Sequence, residues 1–397
     1  MNAILLIKIK NIINYFITGI IIFLIKIHHG NKNNSTLLLI RLDSIGDYIL
    51  LRNFLKVVRE SEKHKKYKIT LCGNSIWKDI AEEFDKEVID EFLWIDRNKF
   101  YNSFIYKYRF LRNIYNKGFE VAVDTTFTRE ILYGDSIVKA SNAKVTIGSE
   151  GSPEKHAGWK RRLLTDKYYT RLIPASENNL FEFFRNKNFF EALLGEKIEL
   201  KKPDFPKLKK ENFYSFDKPY VVIFPGAAES SRRWDTANFS EIVKFVIKRY
   251  DLIVVIAGGN RETEIANSVI TGLDVRGIAN LSGTTSLLQL IGLIQNAEVL
   301  ISNETGAVHI SAAVNTPFVC ISNGNHFGRF NPYPDEIFDK GYYVYPPAII
   351  NQMDDREHLS RLYRFGSNLD INSVDVSSVN SILGKLLNKN DRIKNNF

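Results

Sequence analysis

From Thr36 onward, the chain alternates short unbroken apolar runs with longer stretches whose apolar residues recur every three or four positions. The first kind, TLLLIRL (36–42), KITLCG, EFLWID, FEVAVDTT and AKVTIG, predicts buried strands. The second kind predicts helices: YILLRNFLKVVRESEKH, the stretch from Ile76 to Phe84, and SFIYKYRFLRNIYNKG closed by Gly118. Around 196–218 the pattern lapses into EKIELKKPDFPKLKKENFYSFDKP, rich in Lys and Pro and without an apolar period, which reads as an interdomain linker. The alternation then restarts with YVVIFPG, a helix around NFSEIVKFVIKRY, strand LIVVIAGG, a helix from Glu262, helix SLLQLIGLIQNA, strand EVLISN, a helix from Thr305 and strand PFVCIS. Strands alternating with amphipathic helices predict parallel sheets covered on both faces. The predicted class is therefore α/β, two doubly wound, Rossmann-like domains in tandem facing a cleft. The expected boundaries are 35–205 and 206–360, with a closing helix and tail over 361–397.

Residues 1–30 stand apart. Asn11 to Ile25 carry no charge, fewer than the roughly 20 apolar residues of a spanning helix. At 100° per residue, Lys8, Lys10, Asn11, Asn14, Tyr15 and Thr18 share one half of the wheel. Leu5, Ile9, Ile12, Ile13, Phe16 and Ile20 share the other, and the second half of the segment is apolar all round. The pattern predicts an amphipathic helix that lies in a membrane interface through residues 3–27 or docks on the protein's own surface. A cleaved signal peptide has less support, because the run ends in Lys26, His28 and His29 without a small-residue cleavage site.

Composition narrows the partners. With 397 residues and 44% hydrophobic content, two cores are within reach. The net charge of +9 suits an anionic partner, but it is spread along the chain and forms no basic arm, which argues against nucleic acid. Cys72 and Cys320 lie far apart in strand-like runs without a CxxC, as small buried side chains do. No GxGxxG follows a strand, and neither a P-loop nor an HExxH occurs, so an NAD site, a P-loop and a zinc site have little support. No cofactor or bound metal is expected.

Four stretches carry candidate chemistry. RLDSIGD (41–47) crowds Arg41, Asp43 and Asp47 around Gly46 at the end of the first strand. FPGAAESSRRW places Arg232 and Arg233 on a small-residue loop after a strand, suited to phosphate oxygens. In AGGNRE, Glu262 follows a strand and two glycines, where an acid can hold ribose hydroxyls or simply stabilise a helix start. In ISNETGAVH, Thr305 and Gly306 open a helix whose free N–H groups suit a diphosphate. His309, one turn in, reads as a packed, hydrogen-bonded histidine or a donor-adjacent group.

Taken in order, these motifs resemble glycosyltransferase family 9, the heptosyltransferases of lipopolysaccharide assembly. The resemblance rests on R-x-D-x-I-G-D at 41–47, P-G-A at 225–227, R-R-W at 232–234, Gly258-Gly259 with Glu262, NLSGTTSLLQLIGLI at 280–294 and T-G-x-x-H at 305–309. It runs from residue 36 to residue 385. It implies the GT-B fold, with the acceptor bound mainly by the first domain and the nucleotide sugar mainly by the second. It also implies an inverting, metal-independent transfer of a sugar, a heptose from an ADP-linked donor, to a lipopolysaccharide-type or other surface glycan. By resemblance, Asp47 is the base, Arg232 contacts phosphate and Glu262 binds ribose. Asp43 tunes Asp47 or binds acceptor hydroxyls, and Arg41 balances charge or holds an acceptor phosphate. Glu304 departs from the family's Asp before Thr-Gly and lies beside the expected sugar. The first helix, outside the family core, implies a lipid-linked acceptor and a place on the inner face of the cytoplasmic membrane. A sugar-nucleotide epimerase and a nucleotide-sugar-binding scaffold without chemistry are the competing readings.

Overall fold

The apolar runs become the parallel strands of two sheets. The computed structural model describes residues 3–27, 33–151, 158–176, 179–206, 208 and 214–394. The ends of the 1–30 segment, linker residues 207 and 209–213 and the tail 395–397 lie outside the described residues. The chain divides into one unit of Met1–Asn178 with Phe184–Leu200 and a second of Asn179–Phe183 with Lys201–Phe397.

In the first unit the strands are β1 (Thr36–Arg41), β2 (Lys68–Asn74), β3 (Glu91–Ile95), β4 (Val121–Asp124), β5 (Val145–Ser149) and β6 (Arg171–Ile173), in the order β3-β2-β1-β4-β5-β6. In the second they are β7 (Tyr220–Phe224), β8 (Ile253–Ile256), β9 (Ile278–Asn280), β10 (Leu300–Asn303), β11 (Phe318–Ile321) and β12 (Gly341–Val344), in the order β12-β11-β10-β7-β8-β9. Each sheet has the doubly wound order 3-2-1-4-5-6, so the winding reverses between β1 and β4 and again between β7 and β10, all strands staying parallel. These are the topological switch points, where ligands bind beyond the carboxyl ends of the strands.

Burial explains why the strands read as unbroken runs. Leu37 to Arg41 of β1 and all of β10 and β11 are buried, because helices cover both faces. The first core gathers Leu38, Ile40, Ile95, Phe100, Leu111 and Ile137, and the second Val221, Ile223, Phe239, Val254, Ile301 and Val319. Cys72 and Cys320 are both free and buried within these strands.

The helices depart from expectation at the first loop. The stretch from Tyr48 is not one helix: a short helix Ile45–Ile49 precedes a second, Asn53–Glu60. Gly46 lies inside the short helix and is buried, so it makes no turn. The helix Phe104–Lys117 ends at Gly118 with φ 61°, a left-handed value that glycine adopts without steric cost.

Ala3–Lys26 is a continuous helix. Its segment Leu5–Lys26 is long and apolar enough to cross a membrane. Its C-terminal half is anchored, with Ile21, Ile22 and Ile25 in the same core as Leu38 and Ile40.

Candidate active site

At the first switch point Arg41, the last residue of β1, is completely buried. Its Nε lies 3.0 Å from Asp43 Oδ2 and its Nη2 3.6 Å from Asp47 Oδ1. Nη1 donates to the Thr125 carbonyl (2.9 Å), just past β4, and to Asn186 Oδ1 (3.4 Å). Burying a guanidinium is tolerable only when it is paired and hydrogen-bonded, and here two carboxylates and two further acceptors do this. Arg41 thus lies between the two carboxylates with its guanidinium wholly buried.

Asp43 and Asp47 keep 17% and 16% of their side chains exposed, so both are accessible from solvent while Arg41 is not. Asp47 is the third residue of Ile45–Ile49, whose N-cap is Ser44, so it does not cap that helix. The loop is braced from three sides. Asn74 Nδ2 donates to the Leu42 and Asp43 carbonyls (3.2 Å each), Trp77 Nε1 to the Asp43 carbonyl (3.1 Å) and Arg97 Nη1 to the Leu42 carbonyl (2.8 Å). Behind it Tyr48 stacks on Trp77 with ring centroids 3.9 Å apart and donates to Asp85 (2.6 Å). The carboxylates thus project from a backbone that is held in place.

At the second switch point, Asn303 at the end of β10 donates to the Pro225 carbonyl past β7 (2.7 Å) and accepts from the Trp234 N–H (3.1 Å). This staples the 225–234 loop over the sheet. Arg232 reaches across to Glu304, its Nη2 2.6 Å from the carbonyl and 3.2 Å from Oε1. Glu304 is buried and also accepts from the Ser322 hydroxyl (2.7 Å). Burial pushes its carboxyl up, against the pull of Arg232 and of hydrogen bonds from Ser322 and Asn331. Arg233 closes its own loop by donating from Nε to the Ala227 carbonyl (2.8 Å).

Thr305 is the N-cap of the helix Gly306–Ala313 and accepts from the Ala307 N–H (3.2 Å). Thr305 and Gly306 remain half-buried at this helix start. Glu262 lies across the ends of β7 and β8: a Cβ on Gly226 would sit 2.3 Å from Glu262 Cγ, and one on Gly258 2.9 Å from its Cβ. The glycines are there because the carboxylate's stem occupies the space. His309 is buried with Nδ1 2.8 Å from the Tyr333 hydroxyl. Burial, then Arg232, push its imidazole down to about 4, leaving a neutral packed group.

The structure therefore brings Arg41, Asp43 and Asp47 together in one unit, and Arg232, Glu304, Thr305 and Gly306 in the other, with Glu262 on the neighbouring strand ends. Asn186, Asn303 and Ser322 were not singled out by sequence. Asn186 had a readable signal: it precedes the buried Phe190 and Leu193 by four and seven residues, a polar residue on an apolar helical stripe. Among the described residues, no group of three or more His, Cys, Asp or Glu forms a metal site.

The model of glycosyltransferase family 9 (heptosyltransferase) matches residues 112–339, more than half the chain. That match begins beyond the loop carrying Asp47. Lipopolysaccharide heptosyltransferase 3 of Escherichia coli is 25% identical over 209 residues, 51% of this chain and 59% of the relative. The chain thus spans less than two thirds of the length of this curated relative. Among solved structures, the glycosyl transferase family 9 protein of Veillonella parvula superposes with a TM-score of 0.68 at 17% identity, covering 90% of this chain and 98% of that one. ADP-heptose lps heptosyltransferase II of E. coli gives 0.62 at 14%, covering 90% and 99%. These likenesses establish the two-sheet GT-B fold class.

Proposed function

Because this chain belongs to glycosyltransferase family 9, we propose that it transfers a sugar, a heptose from an ADP-linked donor, to a lipopolysaccharide-type glycan at the inner face of the cytoplasmic membrane. The first unit takes the acceptor and the second the nucleotide sugar. The observation that carries the reading is Asp47: a partly exposed carboxylate at a switch point, held by a fully buried arginine on a braced loop.

A sugar hydroxyl is a poor nucleophile until its proton is taken. Asp47 accepts that proton as the acceptor oxygen bonds to the anomeric carbon. The bond from that carbon to the diphosphate breaks on the opposite side, so the configuration inverts. Negative charge gathers on the departing ADP, where Arg232 and the N–H groups at Thr305–Gly306 meet it. This division needs no metal ion. Glu262 holds the ribose and Glu304 borders the donor sugar. Asp43 shares Arg41 with Asp47 and so sets the charge around the base.

Calorimetric titration of ADP, UDP, GDP and their sugar conjugates, with and without a chelator, tests the donor. Selective ADP-sugar binding that survives the chelator is the expected result; preference for UDP or GDP overturns the donor, and loss in chelator overturns metal independence. Asp47→Asn should abolish acceptor-dependent turnover and leave ADP affinity within a few-fold. Turnover without an acceptor would instead indicate an epimerase. One observation favours a second reading, nucleotide-sugar binding without transfer: Arg232 already spends its charge on Glu304. That reading predicts donor binding with no turnover against any acceptor.

A further inference from the structure

The N-terminal helix sits on the first unit with its polar stripe inward. Asn14 and Thr18 are buried, and Lys107 Nζ donates to Asn14 Oδ1 and to Thr18 Oγ1 (3.1 Å). Asn14 Nδ2 donates to the Tyr101 carbonyl (2.8 Å), and Lys10 to Asn102 (2.9 Å). The apolar stripe faces out, with Phe16 63%, Ile20 57% and Phe23 68% exposed. A helix docked for its own burial does the reverse. The buried Ile21, Ile22 and Ile25 tie its C-terminal half to the core of β1, so it is placed to lie along a bilayer rather than across one.

A cavity of about 280 Å³ opens between this helix and the helix Gly134–Ser141. The helix contributes Tyr15, Phe16, Ile20 and Phe23 to its lining, and the facing wall Ile131, Lys139 and Tyr168. The Lys139 ammonium lies 3.2 Å from the Tyr168 hydroxyl, which is 3.5 Å from that of Tyr15. Gly19 also lines the cavity, and a Cβ there would meet nothing within 4 Å, so the space beside it is open to a larger side chain. The helix brings charge of one sign, since no Asp or Glu occurs before Asp43 while Lys8, Lys10 and Lys26 ride on it; on the facing wall Glu130 pairs with Arg97, and Asp135 and Asp166 pair with Arg129.

We propose that the helix rests in the membrane interface and that this cavity seats an anionic phospholipid of that membrane. Its phosphate meets Lys139 and the two tyrosine hydroxyls, and its acyl chain runs along Phe16, Ile20 and Phe23. The inference stands independently of the transfer reaction.

Flotation of the full chain, purified in detergent and reconstituted, with phosphatidylcholine vesicles and with vesicles holding about 30% phosphatidylglycerol tests it. The expected result is tighter binding to the anionic vesicles. Lys139→Gln, which removes one cation, should cut that preference about fivefold while leaving binding to neutral vesicles intact. Gly19→Leu, which fills the cavity and favours the helix, should do the same. The pair Phe16→Ser and Phe23→Ser, at exposed positions, should weaken binding to both vesicles. Full preference in both Lys139→Gln and Gly19→Leu would overturn the lipid site. So would loss of the preference on adding inorganic phosphate, which would assign the site to a soluble anion. A dimer sealed through this face that binds no vesicle would assign the face to a second copy.

Discussion

Arg41 sets the behaviour of the first site because one planar fork serves four partners at once. A lysine has the charge but no fork. Arg41→Lys should fold, leave ADP affinity unchanged and lower kcat by about 10²-fold, the cost of displacing a reacting group by about 1 Å. Steady-state kinetics beside calorimetry checks this; an unaltered kcat would remove Arg41 from the positioning of Asp47. Close by, Asp124 at the end of β4 is fully buried, and burial, then Asp135, push its carboxyl up to about 7. The fold prefers the neutral acid. Its contribution to stability is complete below the ordinary value of 3.8 and is lost as pH rises through about 7. Asp124→Asn keeps the shape without the charge, so thermal unfolding should fall less with pH across that window than in the parent. An identical slope would place the pH dependence on other groups.

Elements differ in how much of themselves they display in sequence. The strands β1 to β5, β7, β8, β10 and β11 were legible as largely apolar runs, because helices cover both faces of each sheet. The edge strands β6, β9 and β12 were not singled out: they have three or four residues, mostly half-buried, and no apolar run marks them. The helix Glu182–Leu194 went unread, and with it Asn186 and one bond to Arg41. The motif residues at 41–47, 232 and 304–306 were legible as charges and glycines at strand ends, whereas partners such as Asn303 and Ser322 are ordinary polar residues until the chain is folded. The same glycines now carry a prediction. Since Gly226 has no Cβ because Glu262 lies there, Gly226→Ala should displace that side chain and not the backbone. If Glu262 holds the donor, Gly226→Ala and Glu262→Ala should weaken ADP binding alike, and the double variant should be no weaker than either. Additive losses in calorimetry would separate the two residues.

At the scale of the whole molecule, the two sheets repeat one strand order, and each candidate cluster lies at its own sheet's switch point. A doubly wound sheet places every βα loop at one end, so charges distant in sequence converge wherever the winding reverses: Arg41 with Thr125 in one unit, Pro225 and Arg232 with Asn303 and Glu304 in the other. In the proposed reaction the duplication gives donor and acceptor separate addresses. ADP should then slow amide hydrogen exchange at 226–232 and 305–307, beside the proposed phosphate site, and stabilise the second unit by mass action. The 41–47 loop should exchange at the rate of the ligand-free protein, because its hydrogen bonds close within the first unit. Exchange resolved by mass spectrometry, with and without saturating ADP, distinguishes the outcomes. Protection confined to 41–47 would move the nucleotide to the first unit and exchange the proposed roles of the two clusters.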